Sequence, residues 1–294
     1  MGGAARTDGR GDMLKKVPLL AVLLAVGLVG WIDPVSAAEG LARPWQLSLQ
    51  DPMSPVMEGV SNFHKLLLVV QFGIVGLVLA ILAYCVIRFN AKRNPVPSRT
   101  SHNTLLEVIW TALPVVILII IAIPGLRLLY FQDRTQDVDM TLKVAGHQWY
   151  WSYSYPDHGD FTFDSIIVPD EELKEGQPRM LTVDNRIVLP VDTNIQILLT
   201  GEDVIHSWAV PALGIKVDAT PGRINERWVR INEEGVYYGM CSELCGVNHA
   251  YMPIEVHAVS KEAFAEWVGQ AREEFASRED RPAVDVAAGQ KYAR

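Results

Sequence analysis

Two stretches of this chain are too long and too apolar to be the interior of an ordinary water-soluble domain. Leu66 to Ile87 is almost wholly apolar, broken mainly by Gln71, and Val108 to Leu129 repeats the pattern with Pro114 and Pro124 inside it. At about 1.5 Å of rise per residue, each run crosses the roughly 30 Å hydrocarbon core of a bilayer as a helix. Proline in such a helix is tolerated where neighbours satisfy the freed carbonyls, so the second run predicts packing against other helices. Arg88 to Leu106, between the runs, carries Arg88, Lys92, Arg93 and Arg99 and no acid. That excess of positive charge predicts a cytoplasmic loop, with the segment before residue 66 and everything after Arg127 on the opposite side.

The start of the chain agrees with that topology. Lys15-Lys16 precedes an apolar run from Val17 to Gly30, and the small residues Val35-Ser36-Ala37-Ala38 follow. This is the pattern of a secretory signal peptide over residues 1–38, cleaved near Ala37 or Ala38. Residues 39–64, with Pro44, Trp45, Pro52 and Pro55, read as an irregular lead into the first helix. Together they divide the chain into a leader, a hairpin region over 39–132, a domain over 133–275 and a charged tail over 276–294.

Past Asp133 the pattern changes to strand-length segments: Met140–Ala145, Phe161–Phe163, Met180–Val183, Asn194–Thr200, Glu226–Ile231, Val236–Tyr238 and Ile254–Val259. Turn signals punctuate them at Pro156-Asp157-His158-Gly159, Asp184-Asn185, Pro221-Gly222 and Glu234-Gly235. Many short strands at regular spacing predict an antiparallel sandwich or barrel. Lys261 to Phe275 then places Ala263, Phe264, Trp267, Val268 and Ala271 at helical spacing. The class is mixed membrane and all-β.

The chemistry concentrates in Gly239 to Met252, where Cys241, Cys245, His249 and Met252 follow the order Cys-x3-Cys-x3-His-x2-Met. Thiolate, imidazole and thioether are the donors of a copper electron-transfer site, and a second thiolate suggests two bridged metal ions. Two other readings stand beside it. A disulfide between Cys241 and Cys245 closes a very short loop and leaves His249 and Met252 unexplained. A Cys2His2 zinc site would draw on His206 and His249, which lie far apart in sequence. His206, in Asp203-Val-Ile-His-Ser-Trp208, is the best candidate for a further imidazole, with His147, His158 and His257 as rivals. Cys85 sits in an apolar run and reads as inert. Glu107 begins the second run: Thr104-Leu-Leu-Glu107 fits a capping box, and a carboxylate there also suits the mouth of a proton path. With 26 basic against 34 acidic residues, the net charge of -8 argues against nucleic acid and leaves room for a basic partner.

Several motifs resemble subunit II of haem–copper cytochrome c oxidases, over roughly Trp45 to Trp267. They are Gly146-His-Gln-Trp-Tyr-Trp-Ser-Tyr153, Asp184-Asn-Arg186, Val204-Ile-His-Ser-Trp-Ala-Val-Pro211, Pro221-Gly-Arg223 and Tyr237 to Pro253. The resemblance implies a cupredoxin-like Greek-key β-barrel outside the membrane. It implies that Cys241 and Cys245 bridge two copper ions, that His206 and His249 each bind one, and that Met252 and the Glu243 carbonyl are weak axial ligands. It further implies magnesium held by the Glu243 side chain with subunit I, electron arrival from cytochrome c at Trp149, and a proton-pathway role for Glu107. Asp157, Asp160, Asp164, Asp184 and Glu202 correspond to a docking face for cytochrome c. Subunits I and III and the lipid of a bacterial plasma membrane complete the expected partners, with the N-terminus and the β-domain on the periplasmic side. A copper-free structural subunit of a quinol oxidase is the rival, and Cys241 and Cys245 argue against it. A stand-alone copper carrier leaves the membrane hairpin unexplained.

Overall fold

The computed structural model describes residues 40–133 and 137–276. The expected leader over 1–38 and the tail beyond residue 276 lie outside the described residues.

Helix α1 spans Pro55–Arg88, beginning eleven residues before the apolar run. Its start follows from local chemistry. Ser54 is the N-cap and accepts from the Met57 N–H at 3.0 Å, and Pro55 takes the first helical position, where no N–H is needed. The polar His64 and Lys65 hid this turn from hydropathy; only residues before Ser54 are irregular. At 34 residues the helix is about 51 Å long, more than a bilayer requires. Helix α2 spans Thr104–Asp133 with Pro114 and Pro124 inside it. The capping box expected at Thr104 is not formed, because Asn103 is the cap. Its Oδ1 accepts from the Leu106 N–H at 3.1 Å, and its carbonyl accepts from Glu107 at 3.0 Å. Glu107 therefore sits one position deeper than a capping box places it. Both helices are long and apolar enough to cross a membrane, and their central windows are not buried by other parts of the chain. They approach closely where Gly59 meets Leu128 and Gly125 meets Phe63.

Among the described residues, the second part has ten strands in two sheets. They are β1 Met140–His147, β2 Tyr150–Tyr155, β3 Phe161–Ser165, β4 Ile187–Pro190, β5 Ile195–Gly201, β6 His206–Val210, β7 Ile215–Ala219, β8 Asn225–Val229, β9 Gly235–Cys241 and β10 Pro253–Val259. One sheet has the order β3-β2-β1-β5-β8 and the other β4-β10-β9-β6-β7. Most pairs are antiparallel as expected, but β1 with β5 and β4 with β10 run parallel. Alternation along β1 and β5 turns Leu142, Val144, Ile195, Ile197 and Leu199 into the core, each contributing about 1.5–3 kcal/mol. The expected strand at Met180–Val183 is not one: Met180 is left-handed (φ 64°), and only a single bridge joins Ile167 to Val183.

Helix α3, Lys261–Ala276, buries Phe264, Val268, Ala271 and Phe275. Its aromatic rings stack on Phe161, Phe163 and Tyr155 of the first sheet, sealing the core beside β3 and β4. Ala263, expected on this face, is exposed.

Candidate metal centre

The cysteine loop joins two adjacent strands of the second sheet. Cys241 ends β9, Met252 immediately precedes β10, and the Cys241 N–H donates to the Met252 carbonyl at 3.3 Å, closing the loop at its base. Inside it, Gly246 takes φ 123°, where a Cβ would lie 3.0 Å from the Trp149 ring, so glycine is required there. A single 3-10 turn over His249–Tyr251 then presents His249. His206 arrives from the neighbouring strand, as the first residue of β6, and is fully buried.

These elements bring the soft donors together as two half-sets. The Cys241 and Cys245 sulfurs face each other at 3.9 Å, nearly twice the length of a disulfide bond. Cys241 Sγ lies 4.0 Å from His206 Nδ1 and 3.4 Å from the Glu243 carbonyl. Cys245 Sγ lies 3.4 Å from His249 Nδ1 and 3.5 Å from Met252 Sδ. Donor atoms of His206, Cys241 and Cys245 lie within 4.8 Å of one another. Each thiol thus has its own imidazole and its own weak neutral donor, which suits two copper ions sharing both sulfurs. A single tetrahedral zinc leaves the thioether without a role, because thioether sulfur selects copper. The residues fit a dinuclear copper centre.

A second set of contacts fixes the donors. Asp203 Oδ1 holds His206 Nε2 at 2.8 Å, leaving Nδ1 free to face the thiols. Gln148 donates its backbone N–H to Asp203 Oδ2 at 2.6 Å and its side-chain amide to the Cys245 carbonyl at 2.7 Å. One residue therefore ties both half-sets together. The half-buried Trp149 donates its indole N–H to the same carbonyl at 3.2 Å. Trp151, fully buried, donates to the Met252 carbonyl at 3.2 Å and meets the His206 ring edge-on at 5.9 Å. Gly146 is forced by His206, whose Cδ2, Cγ and Cβ would stand 2.8–3.0 Å from any Cβ placed there.

The two thiols differ in their electrostatics. Burial pushes the Cys241 thiol up, but the His206 imidazole and the backbone at Glu243 and Ser207 outweigh it and bring it to about 7. Burial and the neighbouring Cys241 push Cys245 up to about 12. One proton leaves readily and repulsion holds the second, so a cation between the sulfurs stabilises the fully ionised pair. For His206 burial pulls the imidazole down, yet Cys241 and Asp203 together raise it. Burial raises the Asp203 carboxyl, and His206 with two backbone N–H groups lowers it further than burial lifts it.

The rival histidines point elsewhere. His147 stacks on Tyr150 and meets Ser152 Oγ at 3.0 Å, His158 packs edge-on against Phe264, and His257 pairs with Glu255 at 2.7 Å. The five acids separate into groups. Asp164 and Glu202 lie within electrostatic reach of His147 and Tyr150, beside Trp149, and Asp203 joins them. Asp184 sits at the same end of the hairpin and accepts from the Ile166 and Asn185 N–H groups. Asp157 and Asp160 lie at the far end of β2, accepting from the Thr141 N–H and Ser154 Oγ. The Glu243 side chain is exposed. Glu107 stands apart, in the first turn of α2. Sequence reasoning missed Gly146, Gln148, Trp151 and Asp203 as supports; the Asp203-x-x-His206 spacing was the one available signal.

The sequence is similar to known proteins along most of its length. Residues 140–259 match the family described as cytochrome C oxidase subunit II, periplasmic domain, and residues 42–128 its transmembrane domain. A probable cytochrome c oxidase subunit 2 from Rickettsia bellii is 49% identical over 259 residues, covering 88% of this chain and 96% of its own. The cytochrome c oxidase subunit 2 of Oenothera berteroana is 48% identical over 233 residues, covering 77% and 90%. The crystal structure of the periplasmic domain of subunit II of cytochrome oxidase from Bradyrhizobium japonicum is 49% identical. It covers 48% of this chain and 99% of that one, with a TM-score of 0.46. With two apolar helices, a cupredoxin-like β-domain and a His/Cys/Cys group that fits copper, the chain belongs to the cytochrome c oxidase subunit II family.

Proposed function

We propose that this chain accepts electrons from cytochrome c at a dinuclear copper centre and passes them to haem in subunit I of a proton-pumping oxidase. The observation that carries the reading is the pair of facing thiols at 3.9 Å, each backed by its own imidazole. Cys241, Cys245, His206 and His249 would hold the copper, with Met252 and the Glu243 carbonyl as weak donors. When bound, the copper pair supplies one-electron redox chemistry shared over two metals and two thiolates.

The remaining work belongs to the protein. Trp149 collects the electron at the surface, and its indole N–H touches the ligand backbone through the Cys245 carbonyl. Asp203 fixes the His206 tautomer and Gln148 holds the two halves in register. A preset shell of this kind needs little rearrangement when charge arrives. Asp164 and Glu202, within electrostatic reach of His147 and Tyr150 on either side of Trp149, form the centre of a docking face for a basic cytochrome c, with Asp184, Asp157 and Asp160 at its margin. Complementary charge of this kind mainly raises the association rate. The exposed Glu243 carboxylate is a hard oxygen donor suited to magnesium shared with subunit I. Glu107, near the basic 88–103 loop, opens a proton path from the cytoplasmic side.

That basic loop orients the hairpin with residues 133–275 in the periplasm of a bacterial plasma membrane, as an exported two-pass subunit beside subunits I and III. The leader over 1–38, the hairpin region over 39–132 and the tail over 276–294 complete the division. The copper-free quinol-oxidase reading has no use for the paired thiols. The test is metal stoichiometry and spectrum of the purified chain. Two copper ions per chain with a mixed-valence electron paramagnetic resonance signal are expected; one copper with a four-line spectrum, or none, would sink the assignment.

A further inference from the structure

The β-domain is attached to the membrane helices by more than the covalent chain, with one joint at the end of α2 and another at the start of α1. On the first sheet, the Trp228 indole N–H of β8 donates to the Phe131 carbonyl near the end of α2 at 2.9 Å, with the two rings edge-on. Arg227 pairs with Asp133 at 2.5 Å beside it. On the second sheet, the joint is at the start of α1 and is buried. Ser54 is fully buried, and its hydroxyl donates to the Leu213 carbonyl at 2.7 Å while capping α1. The Met53 N–H donates to the Ala212 carbonyl, and the Met53 carbonyl accepts from the Asn232 N–H, both at 2.9 Å. The Asn232 side chain then donates to Glu58 Oε1 at 2.9 Å. Gly214, at φ 69°, lies so close to Met57 that a Cβ would stand 3.0 Å from its backbone.

The partner of this joint is the Pro211–Leu213 turn, which continues directly from β6. Every residue of β6 is buried, and its first is His206. A strand of that length is about 15 Å of stiff backbone with a membrane helix bolted to one end and a metal ligand at the other. We propose that Ser54 is a positioning residue: it locks the first turn of α1 to the Pro211–Gly214 turn, so that β6 fixes the metal centre relative to the membrane helices. This rests on the reading of the centre as an electron relay. Its consequence concerns the onward step alone, because that step depends on where the centre stands over the membrane-embedded acceptor. Electron arrival at Trp149 belongs to the first sheet, and the remaining donors come from β9 and the cysteine loop, so neither depends on Ser54.

The test uses the assembled oxidase carrying Ser54→Ala, Ser54→Thr or, as a milder loosening of the same joint, Asn232→Ala. Hydrogen exchange reads the joint itself, at the Met53 and Gly214 amides. Flash-induced kinetics read the two electron steps separately. Ser54→Ala is expected to speed exchange at both amides by about fivefold, the factor a lost cap is worth. It should also slow haem reduction severalfold while leaving copper content, copper spectrum and the rate of electron arrival from cytochrome c unchanged. Ser54→Thr keeps the hydroxyl and should restore the wild-type onward rate, and Asn232→Ala should shift exchange and onward rate in the same direction. Faster exchange with an unaltered onward rate would make Ser54 a plain helix cap and overturn the proposal. So would equal loss of arrival, copper and onward transfer, which marks damage to the β-domain. If Ser54→Ala does not assemble, Asn232→Ala decides alone: unchanged exchange and onward rate refute the proposal. A wild-type complex lacking the copper pair would instead remove the relay reading, while the exchange data would still report on the joint.

Discussion

Replacing Gly146 by alanine tests whether β1 holds the His206 imidazole in place. A Cβ at residue 146 would stand 2.8, 2.9 and 3.0 Å from Cδ2, Cγ and Cβ of His206. All three atoms belong to one fully buried side chain. Relief requires the ring to retreat by about half an ångström in a close-packed interior. Retreat is opposed by Asp203, bonded to Nε2 at 2.8 Å, and by the Trp151 ring beside it. Overpacking of this kind costs about 1–3 kcal/mol. Because the displaced group is a ligand, copper affinity should fall about 10–100-fold, the usual effect of disturbing a ligand's support. The assay is copper titration of the solubilised apoprotein, followed by visible absorption, with chemical denaturation in parallel. Gly269→Ala is the control: in α3, with nothing within 4 Å of its Cβ position, it should bind copper normally and gain up to about 1 kcal/mol. Wild-type affinity and spectrum in Gly146→Ala would refute the reasoning, since the ring would then be free to move without cost.

Gln148→Ala removes the amide bond to the Cys245 carbonyl but keeps the backbone bond to Asp203; about tenfold weaker copper binding and an altered spectrum are expected, and no change in either would deny Gln148 its linking role. Asp164→Asn with Glu202→Gln should slow cytochrome c association severalfold at low salt and flatten its ionic-strength dependence, whereas Asp157→Asn should do less. A salt profile altered only by Asp157→Asn moves the docking face to the far end of β2. Burial holds His147 below its ordinary 6.5, although Asp164, Asp203 and Glu202 pull upward. The unfolded chain therefore takes the proton more readily, and stability present above pH 6.5 is lost as pH falls through that value towards the folded one. Urea midpoints of His147→Gln should show a shallower acid loss than wild type; parallel curves would place the acid sensitivity in other groups.

What the sequence disclosed depended on whether a residue's environment imposes a period. The membrane runs and α3 were legible because a helix in lipid or on a core face leaves a long signal, and β1 and β5 because one side of each faces water. Strands β4 and β6, buried along their whole length, show no alternation and were not read as strands. Strands β2 and β7 were missed although they alternate, so a period within a short strand was not by itself enough. Met180–Val183 failed in the opposite way, with a strand-like composition on a left-handed turn. In the site, the donors were visible because their spacing within one loop is itself chemical information. Gly146 and Gln148 were not, because their roles exist only across the gap between two sheets, and Asp203 left only its three-residue spacing to His206 as a sign.

That division of labour explains why the centre sits where it does. The second sheet supplies the proposed donors: His206 opens β6, Cys241 closes β9, and Met252 stands against β10, so three of them are held at strand ends rather than on free loop. The first sheet supplies the constraint, through Gly146 at the ring of His206 and through Gln148, Trp149 and Trp151 reaching the carbonyls of Cys245 and Met252. A site clamped from both layers is shaped before metal arrives, and its precision comes from packed strands. The same clamp joins the half-exposed indole of Trp149 to the backbone of Cys245 by a hydrogen bond, the contact that the proposed electron entry would use. Rigidity and connection are therefore one feature: the contacts that keep the ligands still are those that join them to the surface.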